Sequence, residues 1–262
     1  MSKSGVLRIS TVVLSLSVGL LVRGSIAADD QVAAVLDKAI EGTGGSENLA
    51  KFKAASWKTN EKAYGPEGIA MVAAECARQG SEQFRRSVEF ALDDVRVKTT
   101  FVINRTEGWV RNRQGEVVSI AEETDLAEAK TNSVYLSWVT TLVPLKAKEF
   151  KLSPGGELKV GDRVTSCLLI SRAGYHDVML CFDKETGLLV RSERPLKVQS
   201  GSEQELGKVL IEEKLYTDYQ ETDGLRWAKR IITKIDGKLR NETEIVEFKP
   251  HEKLDDAIFA KP

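Results

Sequence analysis

The chain of 262 residues contains only three cysteines, six prolines and two histidines, and aromatic residues make up 6% of it. Cys76, Cys167 and Cys181 are too few and too scattered to staple a disulfide-rich mini-domain. His176 falls at an expected turn and His251 in the tail, neither with a partner at metal-ligand spacing, so both read as surface residues and no metal site is expected. No apolar run approaches the roughly 20 residues that span a bilayer. No basic block of the kind that tracks a phosphate backbone is present, which argues against a nucleic-acid partner. Catalytic signatures are missing too: there is no Gly-x-Ser-x-Gly elbow, Gly-rich phosphate loop, Cys-x-x-Cys or His-Glu-x-x-His. The adjacent acidic pairs Asp93-Asp94, Glu122-Glu123, Glu212-Glu213 and Asp255-Asp256 would point to opposite faces of a strand and read as solvated surface. No enzymatic activity and no cofactor are expected.

What is present begins at the N-terminus. Lys3 and Arg8 form a basic start, residues 12–22 an apolar run of 11, and Ser25-Ile26-Ala27 a small-residue cleavage site. The order is that of an export signal, with an uncleaved N-terminal anchor as the alternative. The expected division is a signal peptide over 1–27 and one domain over 28–262. The product is periplasmic or secreted, and no cysteine near the cut is available for a lipid anchor. Removing Lys3, Arg8 and Arg23 lowers the basic count from 38 to 35 against 39 acidic residues, a mature net charge of −4. Apolar residues at 42% are ordinary for a chain with a real core.

Val32, Val35, Leu36, Ala39 and Ile40 recur at helical spacing after Asp29-Asp30, and glycines at 42–45 end that helix. From Trp57 the period shifts to two. Strands are expected over 69–77, 84–90 and 95–103, around Trp109 and Val117, and again over 164–171, 177–182, 188–196, 206–219, 225–235 and 239–249. A Pro/Gly-rich loop is expected at 153–161. Residues 134–143 read as a second helix with an apolar face about 200° wide, far wider than a surface helix needs. With Gly174 as hairpin centre, Cys167 and Cys181 become cross-strand neighbours, either disulfide-bonded or two buried thiols. The fold class is mainly β (α+β): a single curled antiparallel sheet of about 11 strands forming a half-barrel covered by helices. A curled sheet roofed by wide-faced helices is either a doubly covered core or a ligand chamber.

Residues Lys38-Ala39-Ile40-Glu41-Gly42-Thr43-Gly44-Gly45, with Leu49 and Trp57-Lys58, resemble the opening of LolA-like proteins, the periplasmic lipoprotein-carrier superfamily. The likeness continues through Val178-Met179-Leu180-Cys181-Phe182-Asp183-Lys184-Glu185-Thr186-Gly187-Leu188-Leu189, through Asp218-Tyr219-Gln220-Glu221-Thr222-Asp223-Gly224-Leu225, and to Leu254-Asp255-Asp256-Ala257-Ile258-Phe259-Ala260-Lys261-Pro262. The resemblance implies a half-barrel whose apolar cavity takes a lipid or an acylated lipoprotein, or an envelope sensor that acts on partner proteins through its surface. Candidate cavity residues are Phe84, Arg86, Phe90, Phe101, Trp109, Tyr135, Trp138, Leu142, Phe182 and Trp227, with ordinary core as the alternative for the aromatics. Arg86 alternates in phase with Phe84, Val88 and Phe90, so it stands either among cavity apolars or on a solvated face reaching a carboxylate at the rim.

Overall fold

The structure, a computed structural model, describes residues 18–66, 68–92, 95–197 and 208–262. Lys3, Arg8 and the first part of the expected signal lie outside the described residues, as do Asp93-Asp94. Strands β1 (Ala54–Gly65), β2 (Gly68–Gln79), β3 (Gln83–Leu92), β4 (Val95–Asn104), β5 (Glu107–Arg111) and β6 (Val117–Ser119) step outward as consecutive hairpins. The chain then crosses to the far edge and steps back through β7 (Phe150–Val160), β8 (Arg163–Arg172), β9 (Val178–Asp183), β10 (Leu189–Lys197), β11 (Val209–Thr222), β12 (Leu225–Ile235) and β13 (Lys238–His251). All 13 strands form one antiparallel sheet, ordered β6-β5-β4-β3-β2-β1-β13-β12-β11-β10-β9-β8-β7. The first and last strands meet in the middle, from Ala54 opposite His251 to Ala63 opposite Asn241, and the edges β6 and β7 leave the sheet unclosed.

The sheet thus has 13 strands rather than about 11, and the clearest difference is β7, which covers the segment expected as a loop. Pro154 and the glycines after it suit an edge strand, and the register against β8 shifts between Pro154 and Gly156. Cys167 stands directly opposite Cys181 and the two are joined by a disulfide, while Cys76 is a buried free thiol.

Helix α1 (Val18–Thr43) begins well before the expected Asp29 and runs through position 27. Its Val32, Leu36, Ala39 and Ile40 share one face and are buried in a single cluster with Leu168, Ile170 and Leu180 of β8 and β9. A short α2 (Gly45–Lys51) follows. The junction between them is seated on two hairpin turns. A Cβ on Gly42 would stand 2.4 Å from the Thr186 carbonyl oxygen, and one on Gly44, whose φ is 133°, would stand 2.1 Å from that of Gly224. Only glycine permits this approach. The three glycine-bearing segments that carry the family resemblance are therefore one contact in space.

The crossing from β6 to β7 is broken helix rather than one regular helix over 134–143. It comprises α3 (Glu123–Ala129), a π-helical stretch over Lys130–Tyr135, α4 (Leu136–Val139) and a 3-10 turn over Val143–Lys146. Leu142, at φ 64°, stops the helix. On the outer face of the sheet, Leu254 and Phe259 pack over Ala54, Ala77, Val102 and Trp109, and the Asp255 carboxylate accepts from the Ala257 N–H at 2.9 Å to start the final turn.

Gly44→Ala adds backbone strain to a clash with main chain and is expected to cost about 2–4 kcal/mol in urea denaturation. Gly65→Ala, whose Cβ would meet nothing nearer than the Gly68 carbonyl oxygen at 3.9 Å, is expected to change stability by less than about 1 kcal/mol. Equal costs would show that the junction is not tightly seated.

Candidate functional site

Between the inner face of the sheet and its helical cover lies a cavity of about 640 Å³. Trp57 and Phe84 line one side with their rings 6.4 Å apart, and Trp227 stacks on Phe248 at 5.2 Å on the other. Ile231 and Ile245 extend the apolar wall, and Leu49, Phe52 and Leu142 contribute from the cover. The Trp227 indole N–H is satisfied by the Thr222 hydroxyl at 3.1 Å, so its ring is free to present an apolar surface.

Four of the ten sequence candidates, Phe84, Arg86, Leu142 and Trp227, line this space. The other six lie elsewhere. Trp109 is buried on the outer face beneath the C-terminal tail, and Phe182 belongs to the core under α1. Phe101, cross-strand from Arg86, tilts against Phe84 at 6.3 Å, while Phe90 carries the Arg113 guanidinium over its ring at 5.3 Å. Tyr135 and Trp138 point away from the cavity to the β7–β8 edge: Tyr135 stacks on Tyr175 at 4.4 Å, and Trp138 meets Phe150 at 5.3 Å and Arg172 at 4.9 Å.

Tyr135 and Trp138 keep to one side of the helix, both against Phe150, and that side faces the sheet edge; Leu142 parts from them where its φ of 64° ends the helix. The cavity instead receives Ser133, Leu136, Ser137, Thr140 and Thr141. Three of those hydroxyls donate back to the helix, Ser137 to the Val134 carbonyl at 2.9 Å, Thr140 to Ser137 at 3.1 Å and Thr141 to Trp138 at 2.7 Å. Their polarity is largely spent on the backbone.

Of the charges inside, the sequence reading named only Arg86. Arg86 donates to both Glu61 carboxylate oxygens at 2.8 Å, and Thr59 adds a bond to the same group at 2.8 Å. Burial alone would lower the Arg86 pKa, but the Glu61 charge overrides it and holds the guanidinium above its ordinary value. Glu212, expected as solvated surface, is buried: Arg194 Nε donates to it at 2.8 Å and Lys214 lies 3.6 Å away. Arg194 also donates to the Thr131 carbonyl at 2.8 Å, tying the sheet to the crossing segment. Arg78 lines the cavity as well. Arg86 and Arg78 alternate in phase with apolar neighbours, a signal open to the sequence, whereas Glu61, Arg194 and Glu212 have polar Thr59, Ser192 and Lys214 two positions away. Among the described residues no group of three or more His, Cys, Asp or Glu side chains is placed to hold a metal, and no helix is long and apolar enough to cross a membrane.

Burial pushes the Glu212 carboxyl up, yet the Lys214 and Arg194 charges prevail and hold its pKa below the ordinary value of 4.5. A depressed folded-state pKa means that its contribution to stability is present above the unfolded value and is lost as pH falls through the folded one. Glu212→Gln is therefore expected to cost about 3 kcal/mol at pH 7, where it leaves buried cations uncompensated, and markedly less at pH 3. Urea unfolding at the two pH values checks this, and an unchanged difference would contradict it.

No family model matches the chain, and no curated protein matches it. Among solved structures, a LolA superfamily protein from Nitrosomonas europaea is 13% identical with a TM-score of 0.54, covering 88% of this chain and 97% of that one. A putative outer membrane lipoprotein-sorting protein domain from Vibrio parahaemolyticus is 10% identical with a TM-score of 0.55 over 88% of this chain and 97% of that one. A DUF1329 family protein from Desulfovibrio piger is 12% identical with a TM-score of 0.56, covering 87% and 96%. At such identities the likeness is one of fold, and the fold of this chain is LolA-like.

Proposed function

We propose that the protein is an exported, noncatalytic binding or carrier protein for a lipid or lipid-modified ligand held in the cavity. The observation that carries this reading is the cavity itself: about 640 Å³ of space walled by Trp57, Phe84, Trp227, Ile231, Ile245 and Phe248. That volume lies in the range of small-molecule sites, roughly 300–1,000 Å³. An acyl chain entering it gains about 0.8 kcal/mol for each methylene removed from water. The fold shared with a lipoprotein-sorting domain supports a carrier, and the pattern over residues 1–27 supports export to the periplasm or beyond. The free thiol at the cavity is not an activated nucleophile: burial pushes the Cys76 thiol up to about 12, so it stays protonated at neutral pH.

A second reading, a regulatory module that engages an envelope protein through its outer surface, draws on Ile69 and Met71. Both stand on the outer face of β2 and are 62% and 61% exposed.

Wild-type protein is expected to bind a fluorescent fatty-acid probe saturably. Ile231→Glu places an unpaired charge where the chain would lie and is expected to weaken binding about tenfold or more, whereas Val143→Glu, at an exposed site outside the cavity, is expected to have little effect. Circular dichroism of both variants separates loss of the site from loss of the fold. Folded wild-type protein that takes up no acyl probe would sink the carrier reading and favour the surface module.

A further inference from the structure

Five cationic side chains line the cavity, of which Arg226 and Arg240 are exposed; the other three, Arg78, Arg86 and Lys214, are not compensated equally. Arg86 has Glu61 at 2.8 Å and Lys214 has Glu212 at 3.6 Å. Arg78 has no carboxylate. It is 6% exposed, and its one hydrogen bond among the described residues runs from Nη1 to the Gly80 carbonyl at a long 3.5 Å. A buried guanidinium with four of its five N–H groups unused is an unfavourable arrangement for a fold to keep empty. Its surroundings are otherwise apolar: Arg78 sits in register between Ala55 of β1 and Phe84 of β3, both lining the same space. Burial lowers its pKa to about 10, which still leaves it charged at neutral pH.

We propose that Arg78 anchors the anionic head group of an amphiphile, a carboxylate or a phosphate, whose apolar tail lies along the same cavity. The planar guanidinium fork suits either anion bidentately. The apolar neighbours Ala55 and Phe84 lower the local dielectric and strengthen that contact relative to water. Phe84, adjacent in the ladder, and Trp57 beyond it continue from the anchor as an apolar path for the tail. The proposal rests on the reading of the cavity as an acyl site and adds to it the charge of the ligand.

The test compares oleate with oleyl alcohol, which share the chain and differ in the head, by calorimetric titration of the whole protein at pH 7.5. Wild-type protein is expected to prefer oleate by about tenfold or more, the size of one charge-assisted hydrogen bond. Arg78→Met is expected to bring the ratio close to one, and Arg78→Lys to retain a preference. A wild-type ratio near one, with both ligands bound, would overturn the anchor and leave the carrier reading standing; no binding of either would overturn both. A preference that survives in Arg78→Met would remove Arg78 from the role. Should Arg78→Met not fold, the wild-type ratio and Arg78→Lys decide. Tighter binding of dioleoylphosphatidic acid than of dioleoylglycerol, which lacks only the phosphate, would mark the head group as a phosphate, and oleate preference without it a carboxylate. Inorganic phosphate that binds alone at micromolar concentration and blocks oleate would make this a free-anion site and contradict the proposal.

Discussion

Because β6 and β7 are neighbours in the chain but occupy opposite edges of a 13-stranded sheet, the segment between them has to cross the whole inner face. A sheet of that width curls under its own twist, so the crossing spans a concave surface. The crossing segment cannot fill that concavity. Together with α1 and α2 it roofs the sheet, and the space left beneath is the cavity. The ion pair between Arg194 and Glu212, with its bond from Arg194 to the Thr131 carbonyl, pins the roof to the wall. At the other end the glycine junction of α1 and α2 is pressed onto the turns at Thr186 and Gly224. The cover is held at two places and the cavity lies between them.

Much of this was legible in the residues. Period-two alternation located most of the strands, and a hairpin centred on Gly174 placed Cys167 opposite Cys181, where the disulfide lies. The Gly42 to Gly45 and Thr222 to Leu225 segments signalled a shared fold because packing, not chemistry, dictates them. The edge strand β7 was hidden because Pro154 and its glycines are loop signals unless one knows that the strand has a free side and a bulge. The helical wheel over 134–143 failed for a different reason. A wheel groups the residues that share a side, as it did Tyr135 and Trp138, but it does not say which side meets the sheet, nor that Leu142 ends the helix at φ 64°. Tyr135 and Trp138 consequently serve the β7–β8 edge, while a face of serines and threonines bonded to their own backbone looks into the cavity.

The interior charges were the least legible. A strand residue such as Glu61 or Glu212 looks like solvated surface until a cross-strand cation is known to face it, and those partners come from other strands: Glu61 and Arg86 are separated by β2, while Arg194 and Glu212 lie on β10 and β11. Only tertiary structure reveals that an apolar chamber also holds a partly balanced set of ions. Such a chamber discriminates where a purely oily one would not, since hydrophobic walls reward any chain of the right girth, and an embedded ion penalises ligands that fail to complement it.

The central claim is that the cavity is a lipid site, and the most direct measurement is native mass spectrometry of the protein recovered from its own cells without detergent. The account predicts a mass above that of the polypeptide, with the excess released on denaturation as an organic-extractable acyl compound. A single population at the polypeptide mass, in protein that is folded and that stays unloaded after incubation with envelope lipids, would contradict it.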